Sequence, residues 1–233
     1  MITENEAVIL DEDEELEPLK IKIKKRNIIN RFIKRTIDII AGLVGIILLI
    51  PISIVVWILR IVKKENDGPM FYEHLRIGKN GKQFRMYKFR SMCMNADEKL
   101  KTYLEENPEA KKEYRKYKKL KDDPRITKVG RILRETSLDE FPQFLNLLKG
   151  DMSLVGPRPY LPREKEDMGA YYEIITKVKP GITGPWQVTG RSKLKFEDRM
   201  KLDCEYIQKG SLKEDLQIVF KTIAKVVKKD GAI

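Results

Sequence analysis

The segment Ile39 to Leu59, IIAGLVGIILLIPISIVVWIL, decides the architecture of this chain of 233 residues. It contains no charged residue over 21 consecutive positions, and a helix needs about 20 apolar residues to cross the hydrocarbon core of a bilayer. We therefore expect residues 27–64 to form a helix that contacts a membrane. A buried core helix of a soluble protein ranks lower as an explanation of so long a run.

Pro51 lies near the middle of this segment, where it removes a backbone donor and clashes with the carbonyl four residues back. We expect the helix to break there, with Ser53 as a nearby hydroxyl that can satisfy freed backbone groups. Basic residues such as Arg35 and Arg60 flank both ends, and positive charge favours the cytoplasmic side. Two cytoplasmic ends favour a re-entrant hairpin, while a kinked single span remains the alternative.

Charge is distributed unevenly along the chain. Residues 1–17 hold eight acids and no base, so a net charge of +12 for the whole chain leaves +20 for the remainder. We interpret residues 1–26 as a disordered tail, acidic and then basic. The basic remainder predicts an anionic partner, and nucleic acid, a lipid surface and phosphorylated substrates all fit it.

The cysteine and histidine content argues against a zinc site. Two isolated cysteines and one histidine do not supply the usual four ligands at close spacing. Any bound metal is therefore expected to have oxygen ligands.

Residues 65–233 read as one α+β domain that is mostly helical. Met70 to Ile77 and Gln83 to Ser91 have strand composition around an Asn-Gly turn, which predicts a small β-hairpin. Residues 95–121 are dominated by charge and predict two solvated helices without a functional role.

Shorter helices and rigid loops are predicted for the rest of the domain. We expect helices over Lys128–Glu135 and Ser137–Leu148, the second stopped by Gly150, and then loops with few strands. The last predicted helix, Ser211 to Lys229, begins with a capping box and is basic and amphipathic. It suits either an anionic lipid surface or packing on the core.

Two adjacent carboxylates mark the candidate site, in Ser137-Leu138-Asp139-Glu140-Phe141-Pro142-Gln143. The first turn of a helix favours ionised carboxylates through its unpaired donors and dipole, and an ionised Asp there can act as a nucleophile or bind magnesium. The structural alternative is that Ser137 and Glu140 form only a capping box. The local pattern leaves both interpretations open.

Arg158 lies between two prolines in Gly156-Pro157-Arg158-Pro159. Such a loop fixes the backbone and presents a bidentate donor suited to phosphate, although a structural turn with a surface Arg is equally compatible. The sequence contains no P-loop, no dinucleotide-binding glycine fingerprint and no Ser/His nucleophile elbow. The common nucleotide folds are therefore disfavoured.

Together these segments resemble the bacterial sugar transferase family, the monotopic polyprenyl-phosphate phosphoglycosyl transferases. The resemblance extends over seven ordered motifs within about 170 residues, which is far more specific than any one motif. They are Lys34-Arg35-Thr36-Ile37-Asp38, Tyr87-Lys88-Phe89-Arg90-Ser91-Met92, Ser137-Leu138-Asp139-Glu140-Phe141-Pro142-Gln143, Lys149-Gly150-Asp151-Met152-Ser153-Leu154-Val155-Gly156-Pro157-Arg158-Pro159, Lys179-Pro180-Gly181-Ile182-Thr183-Gly184, Val188-Thr189-Gly190-Arg191 and Leu202-Asp203.

The resemblance implies a two-step reaction on a UDP-sugar. Asp139 attacks the β-phosphate and expels UMP, and undecaprenyl phosphate then takes the phosphosugar from the enzyme. Glu140 is the second member of the dyad, and Mg²⁺ held by Asp139 is the implied cofactor. Galactose, glucose and an N-acetyl sugar all remain open as the transferred sugar.

Further site residues are carried over by motif alignment only. Lys88 and Asp203 align with family positions required for activity, and Arg158, with Pro157 beside it, aligns with the nucleotide and phosphate contact. Arg90 and Arg191 are weaker assignments to substrate binding.

The family also implies a re-entrant membrane helix, a position at the cytoplasmic face of the cell membrane, and the first membrane step of capsule, exopolysaccharide or glycoconjugate assembly. The chain is expected to belong with the small, minimal-core members, which lack an extra membrane region in front. One departure is Ile50 before Pro51, where the family often has Ser. The implied partners are a UDP-sugar, undecaprenyl phosphate and membrane lipid, and a homodimer is left open.

Two other classes of function compete with this interpretation. A non-catalytic, membrane-anchored scaffold of a polysaccharide assembly complex would use the carboxylate dyad only as a helix cap. A nucleic-acid-binding module would use the +20 body. It ranks last because it leaves the apolar segment unexplained, so nucleic acid is not among the expected partners.

Overall fold

The computed structural model describes residues 26–117, 119–190 and 194–227. Within these ranges the protein has the predicted mixed, mostly helical architecture, with one long apolar helix and two small sheets. The predicted tail lies outside the described residues except for Arg26.

The long helix α1 covers Ile28–Val62 and begins at Asn27, whose side chain accepts a hydrogen bond from the backbone N–H of Asn30. Pro51 lies inside it, and the helix is continuous past that residue. The predicted break therefore does not divide the helix in two, and the Ser53 hydroxyl donates to the Leu49 carbonyl at 2.7 Å. By length and composition α1 could cross a membrane, whereas its re-entrant arrangement stays a prediction.

One face of α1 packs on the rest of the protein while its other face is apolar and exposed. The Asp38 carboxylate, 3 % exposed, accepts from the Ser153 hydroxyl and the Leu154 backbone N–H at 3.0 and 2.8 Å. Arg35 donates to the carbonyls of Leu147 and Leu148. These bonds fasten the start of the apolar helix to the body of the protein.

The predicted hairpin is confirmed. Strand β1 (Phe71–Ile77) pairs antiparallel with β2 (Gln83–Phe89), and the turn between them places Asn80 in the left-handed region with φ 57°. Left-handed backbone suits Asn in such turns.

Short helices build most of the remaining body. The predicted pair of charged helices is present as α2 (Ala96–Glu106) and α3 (Pro108–Tyr117), and α4 covers Lys128–Glu135 as expected. The later helices are α5 (Gln143–Lys149), α6 (Lys165–Met168), α7 (Tyr171–Ile175), α8 (Pro185–Thr189), α9 (Phe196–Lys209) and α10 (Leu212–Val227).

A second sheet was not predicted. Strand β3 (Ser153–Val155) pairs in parallel with β4 (Gly181–Thr183). The backbone bonds between Gly156 and Thr183, and between Gly181 and Pro157, extend this pairing into the loop that carries Arg158. The loop at residues 156–159 and the segment of residues 179–184 were predicted only as rigid loops, and the structure hydrogen-bonds them to each other.

Two apolar clusters hold these elements together. The larger lies among β3, α7 and α9 and includes Val155, Ile174 and Met200. The smaller joins Val56 of α1 to Phe89 of β2 and to the buried side of α4. Burial of such side chains provides about 25 cal/mol per Å², so α1 is part of the folded body rather than an attached anchor.

Helix α10 is the amphipathic helix expected near the C-terminus, and the Ser211 hydroxyl accepts from the Glu214 backbone N–H at 3.1 Å. Its Asp215 carboxylate forms ion pairs with Arg26 and Lys34. It also accepts a hydrogen bond from the Tyr206 hydroxyl at 2.6 Å. This buried network joins the start of α10 to the start of α1. The predicted end at Lys229 lies outside the described residues.

Candidate active site

The two adjacent carboxylates lie on a tight turn between α4 and α5. Leu138–Glu140 forms one 3₁₀ turn, and α5 begins only at Gln143. The helix predicted to begin at Ser137 therefore begins later, and the capping box given as the structural alternative is wrong, since Ser137 has a φ of 57° and makes no side-chain cap. Its N–H instead bonds to the Arg134 carbonyl, so Ser137 ends α4 with a left-handed residue.

Apolar side chains fix the direction of this turn. Leu138 and Phe141 pack against the cluster that holds Val56 and Phe89. Asp139, between them in sequence, lines a cavity that Phe141 also borders. The predicted stop of α5 is confirmed, because Gly150 has a φ of 82° and its N–H bonds to the Asn146 carbonyl.

Lys88 stands beside both carboxylates. Its ammonium donates to Glu140 Oε1 at 2.9 Å and lies 3.8 Å from Asp139 Oδ2. It comes from β2, where alternate residues share a face, and it faces the cavity together with Tyr72, His74 and Arg76 of β1. The hairpin thus supplies one wall of the site.

The two carboxylates have different electrostatic surroundings. Burial raises the pKa of the Asp139 carboxyl above its usual range, against the charge of Lys88, and the neighbouring Glu140 raises it further. Burial also opposes ionisation of Glu140, but Lys88, Arg158 and Arg76 outweigh it and hold the pKa of Glu140 below its usual value. Glu140 is therefore the fixed anion of the pair, and Asp139 is the carboxylate whose charge is poorly compensated.

Arg158 reaches the cavity from the loop after β3. Its backbone N–H donates to Asp203 Oδ2 at 3.3 Å, and the Tyr160 hydroxyl donates to the same oxygen at 2.9 Å. Asp203 itself is 0 % exposed on α9 and does not line the cavity. Burial raises the pKa of the Asp203 carboxyl to about 8, despite these hydrogen bonds.

Further cations converge on the same cavity. Burial and then the charge of Arg158 lower the pKa of Arg76 to about 9 and that of Arg199 to about 10. The guanidinium carbons of Arg158 and Arg199 lie 5.6 and 5.1 Å from the centre of the Trp186 ring. Cations that lower each other's pKa would be relieved by a bound anion, so this end of the cavity suits a phosphate-bearing ligand.

The cavity has a volume of about 1470 Å³ and changes character along its length. One part is lined by the carboxylate dyad, the cations and the charged helices α2 and α3, including Asp97 and Tyr114. Another part is lined by apolar residues of α1 and α10, including Val44 and Ile223. A single cavity therefore joins a polar end to an apolar end.

The predicted site residues occupy three kinds of position. Asp139, Glu140, Lys88, Arg90 and Arg158 line the cavity, and Arg90 also donates to the Pro69 carbonyl at 2.8 Å. Pro157 and Asp203 lie fully buried behind the cavity wall. Arg191 lies outside the described residues.

Sequence reasoning missed part of this site. Arg76, Arg199 and Trp186 line the cavity, but none had a local signal beyond strand or helix periodicity. Helices α2 and α3 were expected to have no functional role, whereas Asp97 and Tyr114 contribute to the cavity wall. Their contribution depends on tertiary contacts that a charge pattern does not encode.

A divalent cation fits the donors present. Among the described residues no three His, Cys, Asp or Glu side chains are grouped to hold a metal by themselves. Mg²⁺ is commonly held by one or two carboxylates together with substrate phosphates, and Asp139 beside Glu140 matches that donor set. A metal here would depend on a phosphate ligand.

Comparison with known proteins agrees with the geometry. A family model described as bacterial sugar transferase matches residues 29–229. The chain is 47 % identical over 204 residues to an undecaprenyl-phosphate galactose phosphotransferase of Salmonella typhimurium, covering 87 % of this chain and 42 % of the relative. It is 43 % identical over 199 residues to the exopolysaccharide production protein ExoY of Sinorhizobium fredii, covering 85 % of this chain and 87 % of that relative.

A third relative is the UDP-glucose:undecaprenyl-phosphate glucose-1-phosphate transferase of Escherichia coli, at 40 % identity over 205 residues. The match covers 84 % of this chain and 40 % of that relative. The chain thus spans about two fifths of the length of the Salmonella and Escherichia proteins.

Proposed function

The chain belongs to the bacterial sugar transferase family, and from this premise we propose that it transfers a sugar 1-phosphate from a UDP-sugar to undecaprenyl phosphate and releases UMP. The relatives' names supply the acceptor and the class of reaction. The exopolysaccharide relative supports a role in the first membrane step of polysaccharide assembly.

In the first step Asp139 acts as the nucleophile. A carboxylate oxygen forms a bond to the β-phosphorus of the UDP-sugar, and the bond from that phosphorus to the bridging oxygen breaks. UMP leaves with the electron pair, and the sugar phosphate stays on Asp139 as an acyl phosphate. The position of Asp139 on the cavity wall, beside Lys88 at 3.8 Å, supports this role.

In the second step an oxygen of undecaprenyl phosphate attacks the same phosphorus. The bond between phosphorus and Asp139 breaks, which restores the carboxylate and yields an undecaprenyl diphosphate sugar. Lys88, Arg158 and Arg76 stabilise the negative charge that develops on the phosphoryl oxygens. Glu140 holds the Lys88 ammonium in place through their 2.9 Å hydrogen bond.

Asp139 and Glu140, with the diphosphate of the donor, would hold the magnesium ion. The ion would supply positive charge against the repulsion between a carboxylate and a diphosphate. The protein's own residues orient the donor and exclude water, since Asp139 is only 8 % exposed.

The observation that carries the proposal is one cavity that joins a buried carboxylate and several cations to an apolar wall. The reaction combines a charged nucleotide sugar with a long lipid, so it needs both environments at one nucleophile. We also propose that α1 enters and leaves the membrane by its cytoplasmic face, because Arg35 near its start bonds to α5, and Val56 near its end packs on β2 and α4.

The experiment is a UMP-release assay on the full chain in detergent, with magnesium, undecaprenyl phosphate and a panel of UDP-sugars. We expect release with at least one sugar, and a loss of about 10³-fold or more in Asp139→Asn, because an amide is a poor nucleophile. Glu140→Gln is the matched control for loss of a neighbouring charge and should keep more activity. No release from folded wild-type protein with any UDP-sugar would contradict the proposal and favour the scaffold.

A further inference from the structure

Two apolar stripes face the same cavity from different helices. On α1 the lining positions recur every three or four residues, which places them on one helical face. They are Ile37, Ile40, Ala41, Val44, Gly45 and Leu48. On α10 the lining positions follow the same spacing, at Val219, Thr222, Ile223 and Val226.

These stripes are not closed off by packing. Val44 on α1 is 52 % exposed and Ile223 on α10 is 55 % exposed. In contrast, Asp215 at the start of α10 is tied to Arg26 and Lys34 by ion pairs of at most 3.0 Å. The two helices are therefore joined at one end, and the apolar groove between them (residues 37–48 of α1 and 219–226 of α10) lies beyond that junction.

The groove continues into the reacting centre. Phe141 directly follows Glu140 in the chain, and the Phe144 ring lies against Gly45 of α1, and both side chains line the cavity. Lys88 and Arg158 line the same cavity beside the dyad. A ligand that fills this path has an apolar chain and one anionic end, which is the charge pattern of a lipid phosphate.

A nucleotide sugar is a poor occupant of the groove, because it offers no long apolar surface to bury. Its diphosphate suits the cationic end, where Arg76 and Arg199 add charge. Donor and acceptor would thus approach Asp139 from different ends of one cavity.

We propose that the acceptor's prenyl chain lies in the groove between α1 and α10, with its phosphate directed to Asp139, and that Ile223 and Val226 on α10 set the affinity for the acceptor. This inference rests on the proposed function, since it assigns the acceptor of that reaction to a surface. It makes α10 part of the acceptor site rather than only a helix that packs on the core.

The two half-reactions give a direct test. The variants Ile223→Trp and Val226→Trp place a bulky ring in the groove, and Phe220→Trp is the matched control, because Phe220 is 68 % exposed on α10 and does not line the cavity. UMP release without acceptor reports the first step as one equivalent per enzyme. Turnover against the concentration of undecaprenyl phosphate reports the second step.

In the two groove variants we expect the first step to remain within about twofold of wild type and the KM for undecaprenyl phosphate to rise about tenfold. Phe220→Trp should leave both unchanged. Ile223→Ala, which removes apolar contact without adding bulk, should raise the KM for undecaprenyl phosphate by less than the Trp variant does. Thermal unfolding in detergent checks that each variant is folded.

An unchanged KM in both folded groove variants would overturn the inference, and so would an equal rise in Phe220→Trp, which would point to general membrane contact. These outcomes leave the first step intact. Failure of the proposed function is different, because wild-type enzyme would then release no UMP even without acceptor.

Discussion

Asp139 and Asp203 are both buried aspartates with a raised pKa, yet they lie in different surroundings. Asp139 is on the cavity wall and has the ammonium of Lys88 at 3.8 Å. Asp203 is behind the wall, and its Oδ2 is held by the Tyr160 hydroxyl and the Arg158 N–H. The comparison teaches that burial and a raised pKa occur both on and behind the cavity wall, whereas access to the cavity distinguishes Asp139, the proposed nucleophile, from Asp203.

The largest expected difference between the two aspartates is that only Asp139 forms a covalent adduct with the phosphosugar. After incubation with the UDP-sugar and no acceptor, we expect intact-protein mass spectrometry to find one phosphosugar adduct, and peptide analysis to place it on Asp139. Asp139→Asn should form no adduct. Asp203→Asn should still form it, because an amide oxygen can accept the same two hydrogen bonds.

An adduct on another residue, or the absence of the adduct in a folded Asp203→Asn protein, would contradict the roles assigned to Asp139 and Asp203. The second result would mean that the charge of Asp203, and not only its hydrogen bonds, is needed in the first step.

The next difference concerns stability. Asp203→Ala leaves the Tyr160 hydroxyl and the Arg158 N–H buried without their acceptor, and each such group costs about 1–3 kcal/mol. We expect a loss of about 3 kcal/mol in the free energy of unfolding, measured by denaturant unfolding in detergent. Asp139→Ala should cost less, because its carboxylate already reaches the cavity.

Tyr160→Phe provides the matched control, since it removes one donor and keeps the ring. It should cost about 1 kcal/mol. Equal stability of Asp203→Ala and wild type would show that the network behind the wall does not hold the Arg158 loop.

The smallest expected difference is a pH dependence. The pKa of Asp203 is about 8 in the folded protein against an ordinary value of 3.8, so above about pH 4 the unfolded chain loses this proton while the folded protein keeps it. The contribution of Asp203 to stability is therefore full at low pH and is lost as the pH rises through about 8.

Melting temperatures between pH 5.5 and 8.5 test whether stability falls as the pH rises. We expect the Tm of Asp203→Asn to fall over this range by a few degrees less than the Tm of wild type, because the amide does not titrate. A wild-type Tm that rises over this range, or a variant with the same slope, would show that Asp203 is ionised in the folded protein.

Much of the site could be predicted from local sequence. The apolar run of α1, the hairpin turn at Asn80 and the stop at Gly150 depend on neighbouring residues, and all three are present. The motif residues Asp139 and Lys88 also lie together. Their proximity follows from the hairpin and the turn packing on one apolar cluster.

Other features depend on distant parts of the chain. The Ser137-x-x-Glu140 spacing matches a capping box, but the carbonyl of Arg134 takes the Ser137 N–H and ends α4 there. The pairing of β3 with β4 joins segments more than twenty residues apart through only two registered pairs, Ser153 with Gly181 and Val155 with Thr183. No local pattern indicates that Asp203 is buried, and only the fold places it behind Arg158.

Two glycines of α1 relate Asp139, the proposed nucleophile, to the bilayer in which α1 is proposed to lie. A Cβ at Gly42 would lie 2.6 Å from Leu148 Cδ2, and one at Gly45 would lie 2.1 Å from the Phe144 ring, so side chains of α5 pack directly on the backbone of α1. Because α5 directly follows the turn that carries Asp139, these two positions set the distance of Asp139 from α1. If α1 lies in the membrane as proposed, a change in bilayer thickness that shifts α1 would shift Asp139 with it, and transfer should be fastest in lipids whose phosphate layer lies at the height of Asp139.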